Sequence, residues 1–295
     1  MIGLAAAGAL AAVMSACAGP AADPQVRITS PTESTASTTT SESATTSTAV
    51  TTSSVPATVV PTTVPTTPKT VKPTTKAVVP AGRVVVIDPG HNGGNATHAA
   101  EINRLVPAGR GRTKPCNTTG TASQAGYPEH AFTWDVATRL RDILTARGVK
   151  VIMTRENNSG VGPCVDRRAT IGNESGAQAV VSLHADGSTA AGAHGFHLAY
   201  SSPPLNAAQG EPSMRLARSL RDAMVAKGLA TSTYVGTNGL SPRDDLAGLN
   251  LTERPTVLVE CGNMRDTADA ATLASAAGKQ KFAESIADGV LGFLG

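Results

Sequence analysis

The stretch Arg83-Val84-Val85-Val86-Ile87-Asp88-Pro89-Gly90-His91 sets the architecture of this 295-residue chain. Val84 to Ile87 are β-branched without a polar interruption. A half-solvated strand would alternate, so this run reads as a short strand buried on both faces. Pro89-Gly90 ends it, because this pair favours a turn over a continued ladder. The pattern recurs twice. Ala179-Val180-Val181-Ser182-Leu183 runs into His184, and Thr256-Val257-Leu258-Val259 runs into Glu260.

Between these strands the period changes. Pro128 to Arg147 carries Phe132, Val136, Leu140, Ile143 and Leu144 as an apolar stripe, with Pro128 at its start and Gly148 at its end, which predicts a helix. Val149–Thr154 predicts a strand, Asp166–Ser175 a short helix and Gly195–Ser201 another strand. Leu216, Leu220 and Met224 place an amphipathic helix over Met214–Lys227, stopped by Gly228. A short strand is expected near Leu246–Leu249, and a closing helix over Lys279–Phe293. Strands alternating with helices predict an α/β layered fold with a largely parallel sheet. Residues 92–128 are rich in Gly, Asn and Thr and read as one long loop, a kind that is usually functional or disordered.

The amino-terminal third has a different composition. Met1 to Cys17 has no charged side chain and is mostly Ala, Gly, Leu and Val, so residues 1–18 read as a secretory signal, too short for a membrane span. Met14-Ser15-Ala16-Cys17 resembles a lipobox, which would make Cys17 a lipidation site and the only membrane attachment. Cleavage after Ala18 is the alternative. Residues 19–81 are dominated by Thr, Ser, Pro and Val and read as a disordered stalk. The folded domain is therefore expected over residues 82–295. An exported protein permits disulfides. Cys116 and Cys164 both sit in Gly/Pro-rich loops and are expected to pair, leaving Cys261 free. The formal net charge is +3, with no basic run and no aromatic residues interleaved with basic ones, so nothing in the charge pattern supports a nucleic-acid partner. No coiled-coil repeat is present, and a monomer is expected.

His91, His184 and Glu260 each stand directly after a buried strand. In an open α/β sheet, ligands bind in the crevice at the carboxyl ends of the strands. If the three strands are parallel, these side chains converge there. Two imidazoles and a carboxylate are the ingredients of a catalytic zinc site, which needs three protein ligands and one open position. Glu129 is the candidate third ligand. It lies three residues before Phe132 and so shares the apolar face of its helix, where a carboxylate needs a counter-charge. Each residue also has an ordinary reading. His91 would hydrogen-bond its turn, His184 would be a core histidine, Glu129 would favour the positive end of its helix, and Glu260 would pair with Arg254 or Arg265. The joint occurrence of all four at one sheet edge favours the metal. His130 is turned about 100° from Glu129 on the helix and cannot share its site. His197 reads as a core or surface residue of its strand.

In order along the chain, these pieces resemble the zinc-dependent N-acetylmuramoyl-L-alanine amidases whose domain opens with a strand and Asp-Pro-Gly-His. Val86 to Gly93 matches first, then Glu129 and Gly148 to Arg155. Arg168 and Asn173 follow, then Val181 to Asp186 and Pro255 to Met264. The resemblance covers residues 83–293. It implies a twisted, mostly parallel (mixed) sheet of about six strands flanked by helices on both faces. It further implies that His91, Glu129 and His184 hold one Zn2+ and that Glu260 is the catalytic carboxylate. The implied reaction is hydrolysis of the amide between N-acetylmuramic acid and the L-alanine of the stem peptide, with peptidoglycan or muropeptides as substrate in the periplasmic or cell-wall space. Gly172 stands where Ala usually precedes the Asn, and Cys261 where small or apolar residues are usual. Three rival readings remain at this point: a zinc exopeptidase on cell-wall peptides, a thiol hydrolase using Cys261, and a non-catalytic peptidoglycan-binding or activator protein.

Overall fold

The computed structural model describes residues 82–295. The expected signal, the Cys17 lipidation site and the stalk over 19–81 lie outside the described residues. β1 (Val84–Pro89) is followed by a single-turn helix α1 (Ala99–Ile102) and a hairpin of β2 (Leu105–Gly109) and β3 (Arg112–Pro115). Then come α2 (Glu129–Thr145), β4 (Lys150–Met153), α3 (Val165–Glu174), β5 (Ala179–Asp186) and β6 (His197–Ser201). The chain continues through α4 (Glu211–Ala226), β7 (Leu240–Arg243), α5 (Ala247–Asn250), β8 (Thr256–Asn263), α6 (Thr267–Ala274) and α7 (Ala276–Leu294).

Six strands form one sheet in the order β4-β1-β5-β8-β6-β7. All neighbours are parallel except β6 and β8, so the sheet is mostly parallel but mixed, as the family resemblance implies. The three strands that end in His91, His184 and Glu260 are adjacent and parallel. Their carboxyl ends therefore share one edge.

Alternation along these strands sorts the two faces. Val85 and Ile87, Val181, Leu183 and Ala185, and Val257, Val259 and Cys261 point into the main core. There α2, α4 and α7 cover them with Phe132, Val136, Leu140, Leu216, Leu220, Phe282 and Ile286. Each such side chain, fully buried, contributes about 1.5–3 kcal/mol of hydrophobic free energy. On the other face a smaller cluster of Val86, Ala177 and Val180 lies nearer the amino ends of the strands. Towards the carboxyl ends that face carries Asp88, Ser182, His184 and Glu260 and forms the wall of a cleft, roofed by α3, α5 and the β2–β3 hairpin.

Three expectations need correction. Residues 92–128 are not one loop, since they contain α1 and the hairpin. Val106 and Ala108 are buried while Leu105 and Pro107 are exposed, a period of two too short to stand out from its polar flanks. Arg110 and Gly111 turn the hairpin with φ of 54° and 69°, the left-handed pair that favours tight hairpins. Leu246–Leu249 is not a strand but leads into α5, with Ala247 and Leu249 buried. A run of four apolar residues does not distinguish the two states. The edge strand is β7 instead, with Pro242 where an edge tolerates a missing donor. The last helix begins earlier than expected, because Ser275 caps it by accepting from Gly278 N. Before it, α6 is capped by Asp266 and was not anticipated.

Candidate metal centre

Glu129 is the first residue of α2. Its backbone N–H donates to Thr121 O at 2.9 Å, and Thr121 N donates back to Glu129 Oε2 at 2.9 Å. This reciprocal pair fixes both the helix start and the carboxylate. Glu129 is only 4% exposed, as its place on the apolar face of the helix requires. Its Oε1 lies 2.9 Å from His184 Nδ1 and 3.2 Å from His91 Nε2, and accepts from Ala185 N at 3.2 Å. The imidazole rings stand edge to face with centroids 5.0 Å apart. Candidate ligand atoms of His91, Glu129 and His184 all fall within 4.8 Å of one another. Three of the residues singled out in the sequence thus meet at one point.

The electrostatics suit a cation. Burial pushes the Glu129 carboxyl up, but the two imidazoles outweigh it and hold it well below the usual carboxylate range. Burial disfavours protonated His91, yet the Glu129 charge raises its pKa overall. Two imidazoles and one carboxylate, with oxygen and nitrogen atoms turned inward, are a donor set that zinc accepts. The outer groups are also in place. His91 Nδ1 lies 3.0 Å from Thr118 O, which leaves Nε2 directed at the shared centre. His91 adopts a left-handed φ of 58°, held there by Arg168, which donates to His91 O at 2.9 Å and to Pro89 O at 2.6 Å. Arg168 also pairs with Asp88 at 2.8 Å. Burial would raise the Asp88 carboxyl, but Arg168, Thr154 and Ser182 hold it at about 2. Arg155 donates to Pro89 O at 3.0 Å and to His130 O at 3.1 Å, and burial beside Arg168 pushes its guanidinium down to about 9.

Glu260 is the register partner of His184 on the neighbouring strand and so points to the same face. It pairs with neither Arg254 nor Arg265. Arg254 donates instead to Asn173 O, and Glu260 Oε2 is buried with no hydrogen-bond partner among the described residues. Burial first, then the charges of Glu129 and Asp186, push its carboxyl well up. Asp186 itself accepts from the Tyr234 hydroxyl at 2.8 Å. The cleft that joins these groups has a volume of about 380 Å³.

The other histidines lie elsewhere. His130 Nδ1 faces Asn158 Oδ1 at 3.1 Å, His98 bonds back to Gly94 O and His194 to Gly192 O. His197 is buried beside Tyr234, and burial pushes its imidazole down to about 4. Cys261 is 2% exposed and lies on the core face of β8, with its thiol pushed well up by burial. That placement removes it as a cleft nucleophile. Cys116 and Cys164 form a disulfide that ties the end of β3 to the cap of α3. Sequence reasoning gave no role to Thr118, Thr121, Asp186 or Tyr234. The two threonines act largely through backbone atoms, which leave no mark on residue type.

The profile of a family described as N-acetylmuramoyl-L-alanine amidase matches residues 85–291. An N-acetylmuramoyl-L-alanine amidase of Mycobacterium tuberculosis is 52% identical over 214 residues, covering 72% of this chain and 87% of the relative. The crystal structure of the N-acetylmuramyl-L-alanine amidase Ami1 from Mycobacterium smegmatis is 52% identical, with a TM-score of 0.70. The match covers 72% of this chain and 97% of that one. The apo form of Ami1 from Mycobacterium abscessus matches with the same identity and TM-score, over 73% of this chain and all of its own.

Proposed function

The chain belongs to the N-acetylmuramoyl-L-alanine amidase family, and on that premise we propose that it hydrolyses the amide between N-acetylmuramic acid and L-alanine in peptidoglycan, with His91, Glu129 and His184 holding one zinc ion and Glu260 as the catalytic carboxylate. The observation that carries this reading is the Glu129 carboxylate, buried between two imidazoles at the head of the cleft, with Glu260 beside His184 in register. When bound there, zinc supplies a Lewis acid that lowers the pKa of water and polarises a carbonyl. Glu260 accepts the proton of the attacking water and delivers it to the departing alanine nitrogen, since an amine leaves only when protonated. Its buried, unpartnered oxygen is free to make both contacts. The raised affinity of Glu260 for a proton suits the second transfer. Thr118, Arg168 and Arg155 keep the His91 turn rigid, so that the ligand is preset.

The same reading places the protein outside the cell membrane, where peptidoglycan is found, as the apolar segment 1–18 would require. Attachment through a lipid on Cys17 and action as a monomer belong to this proposal.

Metal analysis of the purified chain, together with mass spectrometry of cell-wall digests, tests it. One zinc per chain is expected, with products that carry an intact lactyl-muramic sugar and a free amino-terminal alanine. Digests that only lose residues from the free ends of the stem peptide, with the muramic amide intact, would overturn the amidase in favour of an exopeptidase.

A further inference from the structure

The cleft descends from His184 and Glu260 along one face of the sheet to Val180 and Thr256. Its deep walls are Ala169, Val180, Leu249 and Leu258, with the Thr252 and Thr256 hydroxyls bonded to each other at 2.7 Å. A charged group of a substrate finds no counter-charge there, and burying it unpaired is costly. Most charged groups nearer the mouth are already engaged. Asp88 and Arg168 neutralise one another, the two imidazoles and Glu129 form the metal cluster, and Asp186 accepts from Tyr234.

Lys114 is different. It lies in β3, half-buried, and lines the same cleft. Among the described residues no carboxylate lies within ion-pair distance of its ammonium. The acid beside it, Asp245, is held by Arg243 through two contacts of 2.7 and 2.6 Å. Lys114 Nζ reaches only the main-chain oxygen of Asp245, at 3.5 Å, the outer limit of a hydrogen bond. Burial pushes this ammonium down, and Arg243 adds to the effect against the opposing pull of Asp245. The strand that presents it is fixed on both sides, by pairing of Lys114 with Val106 and by the disulfide two residues on, at Cys116. A positioned, half-desolvated cation with no carboxylate in ion-pair contact, in a substrate cleft, is a binding group for one.

We propose that Lys114 is a specificity residue that binds a carboxylate of the stem peptide, on the leaving-group side of the scissile amide. The inference rests on the amidase reading above. The side follows from the substrate's chemistry. The carboxyl of the muramic lactyl group is consumed in the scissile amide, so every free carboxylate of the substrate belongs to the peptide.

The test is steady-state kinetics of the full chain, loaded with zinc, on two muropeptides that differ only in whether the stem carboxylates are free or amidated. Lys114→Met is expected to raise KM about tenfold on the free acid, the scale of one charge-assisted hydrogen bond. Its kcat, and its KM on the amidated substrate, should match wild type. Lys114→Arg, which keeps the charge, should retain most of the affinity. Thermal midpoint and zinc content, unchanged in both variants, would separate lost recognition from lost folding. Active wild type with a Lys114→Met variant whose KM is unchanged, or rises equally on both substrates, overturns this role alone. Wild type inert on both substrates defeats the amidase reading and this one with it.

Discussion

Gly90 lies directly beneath the imidazole of His184, so close that a Cβ on Gly90 would meet His184 Cε1 at 2.3 Å. The turn that carries His91 therefore also leaves the space in which His184 reaches Glu129. Gly90→Ala is expected to displace the His184 ring and weaken zinc binding by about 10–100-fold, the range for disturbed support of a metal ligand. Competition against a calibrated chelator measures this. Unchanged affinity would show that the ring has another way to reach the centre.

Glu260 occupies a different position, beside the cluster rather than within it. Glu260→Gln keeps the shape and removes the ability to carry a proton. Turnover should fall about 10²–10⁴-fold, the usual contribution of a general acid–base group, while zinc stoichiometry stays at that of wild type. His184→Ala should instead lose the metal. A Glu260→Gln enzyme as active as wild type would remove this carboxylate from the mechanism.

The pairing of Asp88 with Arg168 makes an acid-stability prediction. Asp88 titrates at about 2 in the fold against an ordinary 3.8. A carboxyl depressed by folding adds stability above its unfolded pKa and loses it as pH falls through the folded one. The gap corresponds to roughly 2–3 kcal/mol. Thermal midpoints of wild type and Asp88→Asn should thus differ by a constant amount above about pH 5 and converge as pH falls from about 4 to 2. A gap independent of pH would mean that the ionisation of Asp88 is not its source.

The Cys116–Cys164 bridge spans 48 residues of sequence, so it removes considerable freedom from the unfolded chain. Its loss should cost up to about 4 kcal/mol. Denaturant midpoints with and without reductant, and for Cys116→Ser with Cys164→Ser, would show this as a shift. Identical midpoints would place the constraint elsewhere.

Much of the architecture was readable in residue order. The apolar runs before His91, His184 and Glu260 are long enough, and bounded sharply enough, to identify strands. The stripe from Phe132 to Leu144 could only be a helix. Glu129 was legible because it is an acid on that stripe's apolar face, where a charge without a partner is unstable. The hairpin at Leu105–Pro115 and the helix at Ala247–Asn250 were not, since the two strands of the hairpin and the helix are each only four or five residues long and take their state from what they pack against.

Local chemistry thus determined which segments become strands and helices, and which polar side chains stand at their ends. Tertiary structure alone decided that β6 runs against β8, that Thr118 and Thr121 offer backbone atoms to His91 and Glu129, and that Lys114 faces the cleft. Such choices depend on contacts between residues far apart in sequence, whose energies appear only once the chain has closed upon itself.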